Sequence, residues 1–347
     1  MFRNISVERF RGIRQLRIDG LSRINLFFGR NNCGKSSLLE AMFLLSGQSN
    51  PLLPLNINMF REYTNMQEDD LHLEFYGMKK DAPIVISADT TDGGRRLSID
   101  TFSSYGNKVE TNPDISNSIS EDYWGYRLDY LLNGQNYTSE LQIGGKSGDN
   151  KIKVNVDSRY SESIQAKFIH PRAQLLDSVK FIQQLVVEKR EKVIVEALQL
   201  IEPSITSLVF TGSRIMVDAG LDRLIPVNFM GDGIRKLLYL ISAVLECRDG
   251  MVMIDEIDNG FHFSAMQILW KVLLQTAVAN NVQLMISTHN IDSLRGLRDV
   301  LALDDFIGMR NAVMAYKLIR NDKDEIVPLA YDYEKFGYSL EYGHEMR

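Results

Sequence analysis

Eight consecutive residues, Gly29-Arg30-Asn31-Asn32-Cys33-Gly34-Lys35-Ser36, follow the spacing G-x-x-x-x-G-K-[ST], and Ser37 continues the polar run. That spacing suits a polyphosphate. Its glycines let successive backbone N–H groups turn inward around phosphate oxygens, and a helix starting at its end adds partial positive charge. Lys35 would neutralise the β- and γ-phosphates of ATP, and the Ser36 hydroxyl would ligate Mg²⁺. A second cluster, Met251-Val252-Met253-Ile254-Asp255-Glu256, is an apolar run that delivers two adjacent carboxylates. Asp255 would hold Mg²⁺ through its water shell, and Glu256 would orient or deprotonate the attacking water. A third, Ser287-Thr288-His289-Asn290, closes another apolar run and aims His289 at the γ-phosphate or that water. The fourth is Phe229-Met230-Gly231-Asp232-Gly233-Ile234-Arg235-Lys236, a glycine pair opening a helix, which makes a second anion site.

These groups can act together only if strands and helices bring them to one place. Ile24–Phe28 is a continuous apolar run ending at Gly29, as expected of a strand buried on both faces. After the loop, Leu38, Leu39, Met42 and Leu45 recur at helical spacing until Gly47, which reads as an amphipathic helix. Before it, Ile5 and Val7, then Ile13, Leu16 and Ile18, alternate around a break at Arg11-Gly12, as two paired strands would. The last third returns to alternating elements. Residues 231–246 place Ile234, Leu237, Leu238, Ile241, Val244 and Leu245 on one helical face. A strand at 251–254, a helix over 262–279 and a strand over 282–287 follow, then a hairpin over 315–329 that turns at Asn321-Asp322-Lys323-Asp324.

The middle of the chain has a different character. From about residue 50 to 160 short alternating stretches, such as Leu71-His72-Leu73-Glu74-Phe75-Tyr76 and Pro83-Ile84-Val85-Ile86-Ser87, are separated by Gly-, Asn- and Asp-rich turns. They predict an inserted antiparallel β lobe. A helical stretch over about 173–200 follows, with Glu188-Lys189-Arg190-Glu191-Lys192 as a solvated face near its middle. The expected division is therefore 1–48, the N-terminal part of an ATPase domain; 49–165, the β-rich insertion; 166–225, a helical and linker lobe; and 226–347, the C-terminal part.

A chain of 347 residues, 44% hydrophobic, can bury a sizeable core. Its net charge of −6 argues against a protein coated in nucleic acid. The charge is uneven, however: Arg3, Arg9, Arg11, Arg14, Arg17, Arg23, Arg30 and Lys35 crowd the first tenth of the sequence against Glu8 and Asp19. These arginines either form a DNA-facing patch or are strand-edge residues that are solvated or serve the nucleotide. No apolar run approaches the roughly 20 residues that span a bilayer, so no membrane partner and a cytoplasmic address are expected. Cys33 lies in the phosphate loop and Cys247 in an apolar helical run, so neither reads as half of a disulfide.

The order of strand, loop and helix, glycine-led helix, Asp-Glu strand and Ser-Thr-His strand resembles the ABC-type ATPase heads of the Rad50, SMC and RecF group. Gly29 to Ser36 with Ser37-Leu38-Leu39-Glu40-Ala41, and Asp255-Glu256-Ile257-Asp258-Asn259-Gly260-Phe261-His262, are closer still to the ATPase domains of the OLD family and its relatives in bacterial anti-phage systems. The likeness covers the two ends of the chain and not the β-rich middle. It implies an α/β P-loop fold with a mixed, mostly parallel central sheet and N-terminal antiparallel strands. It implies a Mg²⁺-dependent ATPase whose copies join head-to-tail, as a dimer or higher oligomer, the Gly231–Lys236 region of one covering ATP on the loop of the other. Arg11, in Phe10-Arg11-Gly12-Ile13, matches an arginine beside the nucleotide. Met230 or Asp232 stands where a signature serine is usual, with Arg235 or Lys236 as replacements; His262 stands where an aspartate is usual, and Gln174 is a candidate for the Q-loop glutamine. OLD nucleases continue past Ser-Thr-His into a Toprim domain, whereas fewer than 60 residues follow it here. The resemblance thus implies a separate effector, such as a Toprim-like nuclease, and a phage-derived trigger, or else a RecF-like ATPase acting on DNA.

Overall fold

The computed structural model describes residues 1–64, 67–104, 123–144, 151–173, 175–212 and 214–341. The central element is a six-stranded sheet whose strands read as apolar runs because both faces are covered. It takes in β3 (Ile24–Phe28), β9 (Ala166–Ile169), β13 (Met251–Ile254), β14 (Gln283–Thr288), β15 (Val313–Arg320) and β16 (Ile326–Tyr331), in the order β16-β15-β3-β14-β13-β9. All neighbours are parallel except β15 and β16, the expected hairpin. The period-two alternation sends Leu26, Phe28, Val252, Ile254, Leu284 and Ile286 to one core, and Phe27, Met253, Met285 and Tyr316 to another.

The first core is closed by α5 (Asp232–Glu246), α6 (Met266–Ala279) and α7 (Ile291–Ala302), with α3 (Val179–Val187), α4 (Lys192–Gln199) and α8 (Tyr333–Glu341) around them. A small sheet of β10 (Ser207–Thr211), β11 (Arg214–Asp218) and β12 (Ile225–Pro226) adds to that side. The second core is filled by α1 (Lys35–Ser46), which lies between the central sheet and a seven-stranded antiparallel sheet. That position revises the expected amphipathic helix: Leu38, Leu39, Ala41, Met42, Leu44 and Leu45 are all buried, so α1 is covered nearly all round.

The antiparallel sheet consists of β1 (Asn4–Phe10), β2 (Ile13–Asp19), β4 (Ile84–Thr90), β5 (Gly93–Ser104), β6 (Tyr123–Leu132), β7 (Gln135–Gly144) and β8 (Lys151–Asn155), in the order β2-β1-β4-β5-β6-β7-β8. The β-rich stretch is an insertion in chain order, but in space it extends the N-terminal hairpin, because β4 pairs with β1 through Ser6↔Ser87, Val7↔Ile86 and Glu8↔Val85. Its first part is not strand. Residues 53–59 form the short helix α2 (Leu53–Met59), and Glu68–His72 and Tyr76–Met78 are 3₁₀ turns joined to the sheet by a single bridge, Phe10↔Phe75. The alternation over 71–76 misleads because Glu74 is buried rather than solvated. The helix expected over 173–200 is likewise two helices, α3 and α4, and Glu188-Lys189-Arg190-Glu191 is the break between them, with Lys189 at φ 57°. Helix α6 begins at Met266 rather than 262, after a 3₁₀ turn over Phe263–Ala265. Both cysteines are buried and free. Among the described residues no helix is long and apolar enough to cross a membrane.

Candidate functional site

Register sets the site. Phe28 pairs with Thr288 and Ile254 with Ile286, so β3, β14 and β13 end at nearly the same level and release their loops along one sheet edge. The loop after β3 turns through positive φ at Gly29 (137°), Asn32 (62°) and Gly34 (89°). A Cβ on Gly29 would stand 2.5 Å from the Leu318 carbonyl oxygen, so only glycine fits there. The Lys35 ammonium donates to the carbonyls of Gly29 at 2.9 Å and Arg30 at 2.8 Å, which holds it over the loop. Cys33 is buried beneath it.

Ser36 Oγ donates to Asp255 Oδ1 at 3.1 Å, and Ser287 Oγ donates to the same oxygen. One hydroxyl beside one carboxylate is an all-oxygen donor set, suited to Mg²⁺ that completes its shell with phosphate and water. Bound there, the ion would neutralise charge on the transferring phosphate. Glu256 takes φ 52°, donates its backbone N–H to Ser287 Oγ at 2.9 Å and brings a carboxylate oxygen within 3.9 Å of His289 Nδ1. Asp255, beside Ser36, would thus serve the cation, and Glu256, beside His289, the water. Thr288 Oγ1 donates to Asp258, tying the two loops together.

A cavity of about 580 Å³ runs along this edge. Arg11, Asn31, Asn32, Gly34, Lys35, Ser36, Ser37, Asp255 and Glu256 line it. Arg61, Arg320 and the segment from Leu73 to Met78 line it too, and sequence reading missed them. Beneath the cavity two guanidinium groups share one buried carboxylate: Arg11 lies 2.9 Å from Glu40, and Arg61 donates twice to it, at 2.8 and 3.1 Å. Arg11 also donates to Asn58 Oδ1 at 3.1 Å, and Asn58 donates to Glu74. Burial pushes the Glu74 carboxyl up, against the hydrogen bond from Asn58, and burial pulls the Arg11 guanidinium down, against Glu40. Two cations on one carboxylate leave surplus positive charge next to the phosphate loop, which a bound anion would compensate. Glu40 carried a sequence signal, a carboxylate inside an otherwise apolar helical run; Arg61 and Arg320 carried none, since each resembles any arginine at the end of an element.

The Gly231–Lys236 region lies elsewhere in the chain. Asp232, Arg235 and Lys236 line a separate cavity of about 200 Å³ with Tyr239, Asn259 and Gly260. Arg235 pairs with Asp232 at 3.0 Å. Burial lowers Lys236 to about 8, although Asp258, Glu256 and Asp255 oppose the shift, so this lysine faces the carboxylates of its own chain. His262 bonds Ser264 through Nδ1 at 2.9 Å and caps the turn before α6. Gln174 lies outside the described residues. Of the N-terminal arginines, Arg9 donates to the Pro83 carbonyl, Arg17 to Asp19 and Arg23 to Asn281, and Arg11 is in the cavity.

Several known proteins are similar to this chain. An "ATP/GTP phosphatase" of Helicobacter pylori is 25% identical over 377 aligned positions, covering 99% of this chain and 98% of the relative. A DNA replication and repair protein RecF of Streptococcus pneumoniae is 29% identical over 92 residues, 26% of this chain and 24% of that one. Among solved structures, an SMC head bound to the C-terminal winged-helix domain of ScpA superposes with a TM-score of 0.50 at 10% identity, covering 96% of this chain and 98% of the other, a likeness of fold. The fold is thus that of an ABC-type P-loop ATPase head. Residues 24–295, which take in all four motifs, match the family described as "AAA domain, putative AbiEii toxin, Type IV TA system", and the chain is a member of that family of ATPases.

Proposed function

We propose that this chain is the ATPase subunit of a two-component bacterial anti-phage system. ATP and Mg²⁺ bound at Gly29 to Ser36 draw a second copy head-to-tail, as a dimer or a step in a larger oligomer, and the assembled heads sense a phage-derived signal and control a separate effector such as a Toprim-like nuclease. The observation that carries the reading is the separation of the two cavities. Ser36, Asp255, Glu256 and His289 meet at one sheet edge, while Asp232, Arg235 and Lys236, at the glycine-led start of α5, line another cavity in the same chain. A second copy brings such a helix start to the first cavity. Phe229, 82% exposed and two residues before Gly231, and Phe263, 64% exposed and two residues after Phe261, which neighbours Gly233, supply apolar surface for that copy to cover. The family description, which includes a type IV toxin–antitoxin system, supports the two-component role.

The test is to measure the solution mass of Glu256→Gln protein by light scattering with Mg-ATP and with Mg-ADP, and to ask whether the product of the adjoining gene copurifies. Doubling of mass or more with ATP alone, together with a copurifying effector, is the expected result. Protein that stays monomeric with ATP and brings down nothing sinks the proposal. The RecF-like reading, in which the head acts on DNA, predicts ATPase stimulation by DNA and binding that weakens steeply with salt. The local bonds of Arg9, Arg17 and Arg23 favour the first reading.

A further inference from the structure

Phosphate chemistry does not account for one end of the larger cavity. Strand order gives the cavity a direction: β13, which carries Asp255 and Glu256, lies two strands from β3 on one side, whereas β15 adjoins β3 on the other. A triphosphate whose last phosphate faces the two carboxylates therefore runs across the loop after β3 toward the end of β15. At that end the lining residues are Gly12, Asn32, Gly77, Met78 and Arg320.

Arg320, the last residue of β15, has all three nitrogens engaged. Nε donates to the Asn32 carbonyl at 3.3 Å, Nη1 to Asp324 Oδ1 at 2.6 Å and Nη2 to the Gly12 carbonyl at 2.9 Å. With its donor edges used, the guanidinium has its planar face left to offer. A Cβ on Gly12 would stand 3.3 Å from Nη2, so the glycine lets the plane lie close against the turn. Asp324 also accepts from the Tyr76 hydroxyl at 3.1 Å, which fixes the 76–78 turn beside the arginine. On that turn Met78, 64% exposed, offers a thioether to the same space. A guanidinium plane and a thioether both favour the face of an aromatic ring, and stacking of this kind is tolerant of which base is stacked. The carboxylate at this end is already engaged on both oxygens, and the Asn32 amide can donate or accept by rotating, so neither enforces one purine edge.

We infer that Arg320 and Met78 form the nucleobase subsite, and that it grips a purine by its face, so adenosine and guanosine triphosphates are taken alike. The inference rests on the nucleotide-hydrolase reading and locates the base within it. Calorimetric titration of the full chain with Mg-ATP, Mg-GTP and inorganic triphosphate separates the two. The wild-type protein is expected to bind ATP and GTP within about fivefold of each other, and both about tenfold or more tighter than inorganic triphosphate. Arg320→Lys, which loses the plane, and Met78→Asp, at an exposed position, should each weaken both nucleotides about tenfold and leave inorganic triphosphate within about twofold. Equal weakening of inorganic triphosphate would show that these residues shape the phosphate loop and overturn the subsite, as would a preference of about a hundredfold for ATP over GTP. Wild-type protein that binds neither nucleotide nor triphosphate would overturn the nucleotide reading itself.

Discussion

The larger cavity is walled by residues from both ends and the middle of the chain, namely Arg11, the loop from Gly29, Arg61, the 73–78 segment, Asp255 and Arg320, and its charges are paired and cross-braced. The smaller cavity is walled by three stretches, that of Pro171, Ala173 and Leu175, the start of α5 and the loop after β13, and among the described residues its lysine has no hydrogen bond or ion pair. The first gathers charged groups from the whole chain, the second a few groups around one helix start. A composite active site split between two copies would have this asymmetry, since each chain must finish its own phosphate grip but leaves its helix start for the neighbour.

The most drastic way to break the comparison is to disable each cavity in a different protein. Lys35→Ala removes the cation over the phosphate loop, and ATP turnover should fall about a thousandfold, about 4 kcal/mol of transition-state stabilisation. Gly231→Trp is expected to spare the fold of the isolated chain, because Gly231 has a negative φ and no heavy atom within 4 Å of an added Cβ. Its turnover should nonetheless fall about as far, because the indole would occupy the space of the second copy. Mixed in equal amounts, the two inactive proteins should regain activity, since in the mixed dimer one composite site carries both lesions and the other none. No recovery in a steady-state phosphate-release assay would mean that the two cavities do not meet.

A smaller effect, confined to the larger cavity, is expected at Glu40. Its carboxylate is buried between Arg11 and Arg61, and Arg11 is itself mostly buried. Glu40→Ala strands that guanidinium, and urea unfolding should show a loss of about 3 kcal/mol, at the low end for breaking a buried pair because Arg61 can turn to solvent. Unchanged stability would mean that Glu40 does not bear the charge of both arginines.

How much of this was legible in the sequence follows the same division. The phosphate loop, Asp255-Glu256 and Ser287 to Asn290 were legible because each is a contiguous run whose residue types state both the strand and the chemistry. Arg61, Glu74, Tyr126 and Arg320 were not, because they meet through contacts distant in sequence: Tyr126 reaches Glu74 only once β6 joins the sheet begun by β1. Local alternation shows that β4 to β8 are strands but cannot show that β4 pairs with β1. It also mistook the turns at 71–76 for a strand, since a buried Glu74 mimics the polar half of an alternation. Lys236 is expected from the sequence to serve the neighbouring copy, and the structure places it in the smaller cavity beside Gly260, where burial lowers it against the pull of Asp258, Glu256 and Asp255.

That placement gives the smallest of the expected effects, and its sign is fixed by linkage. Burial lowers Lys236 from 10.5 to about 8 in the folded chain. Between those values the unfolded chain holds a proton that the folded chain has released, so stability rises with pH across that window; below about 8 both states are charged and the burial cost is present in full. Lys236→Met removes the charge and keeps the apolar stem. It should stabilise the protein at pH 7 by about 1 kcal/mol, the full shift being discounted for the solvent that still reaches the ammonium, and the advantage should shrink as pH rises from 8 toward 10. Urea midpoints of the two proteins across that range measure it. A difference independent of pH would place the Lys236 ammonium in solvent, free to reach a second copy, and would return this residue to the smaller cavity's open side.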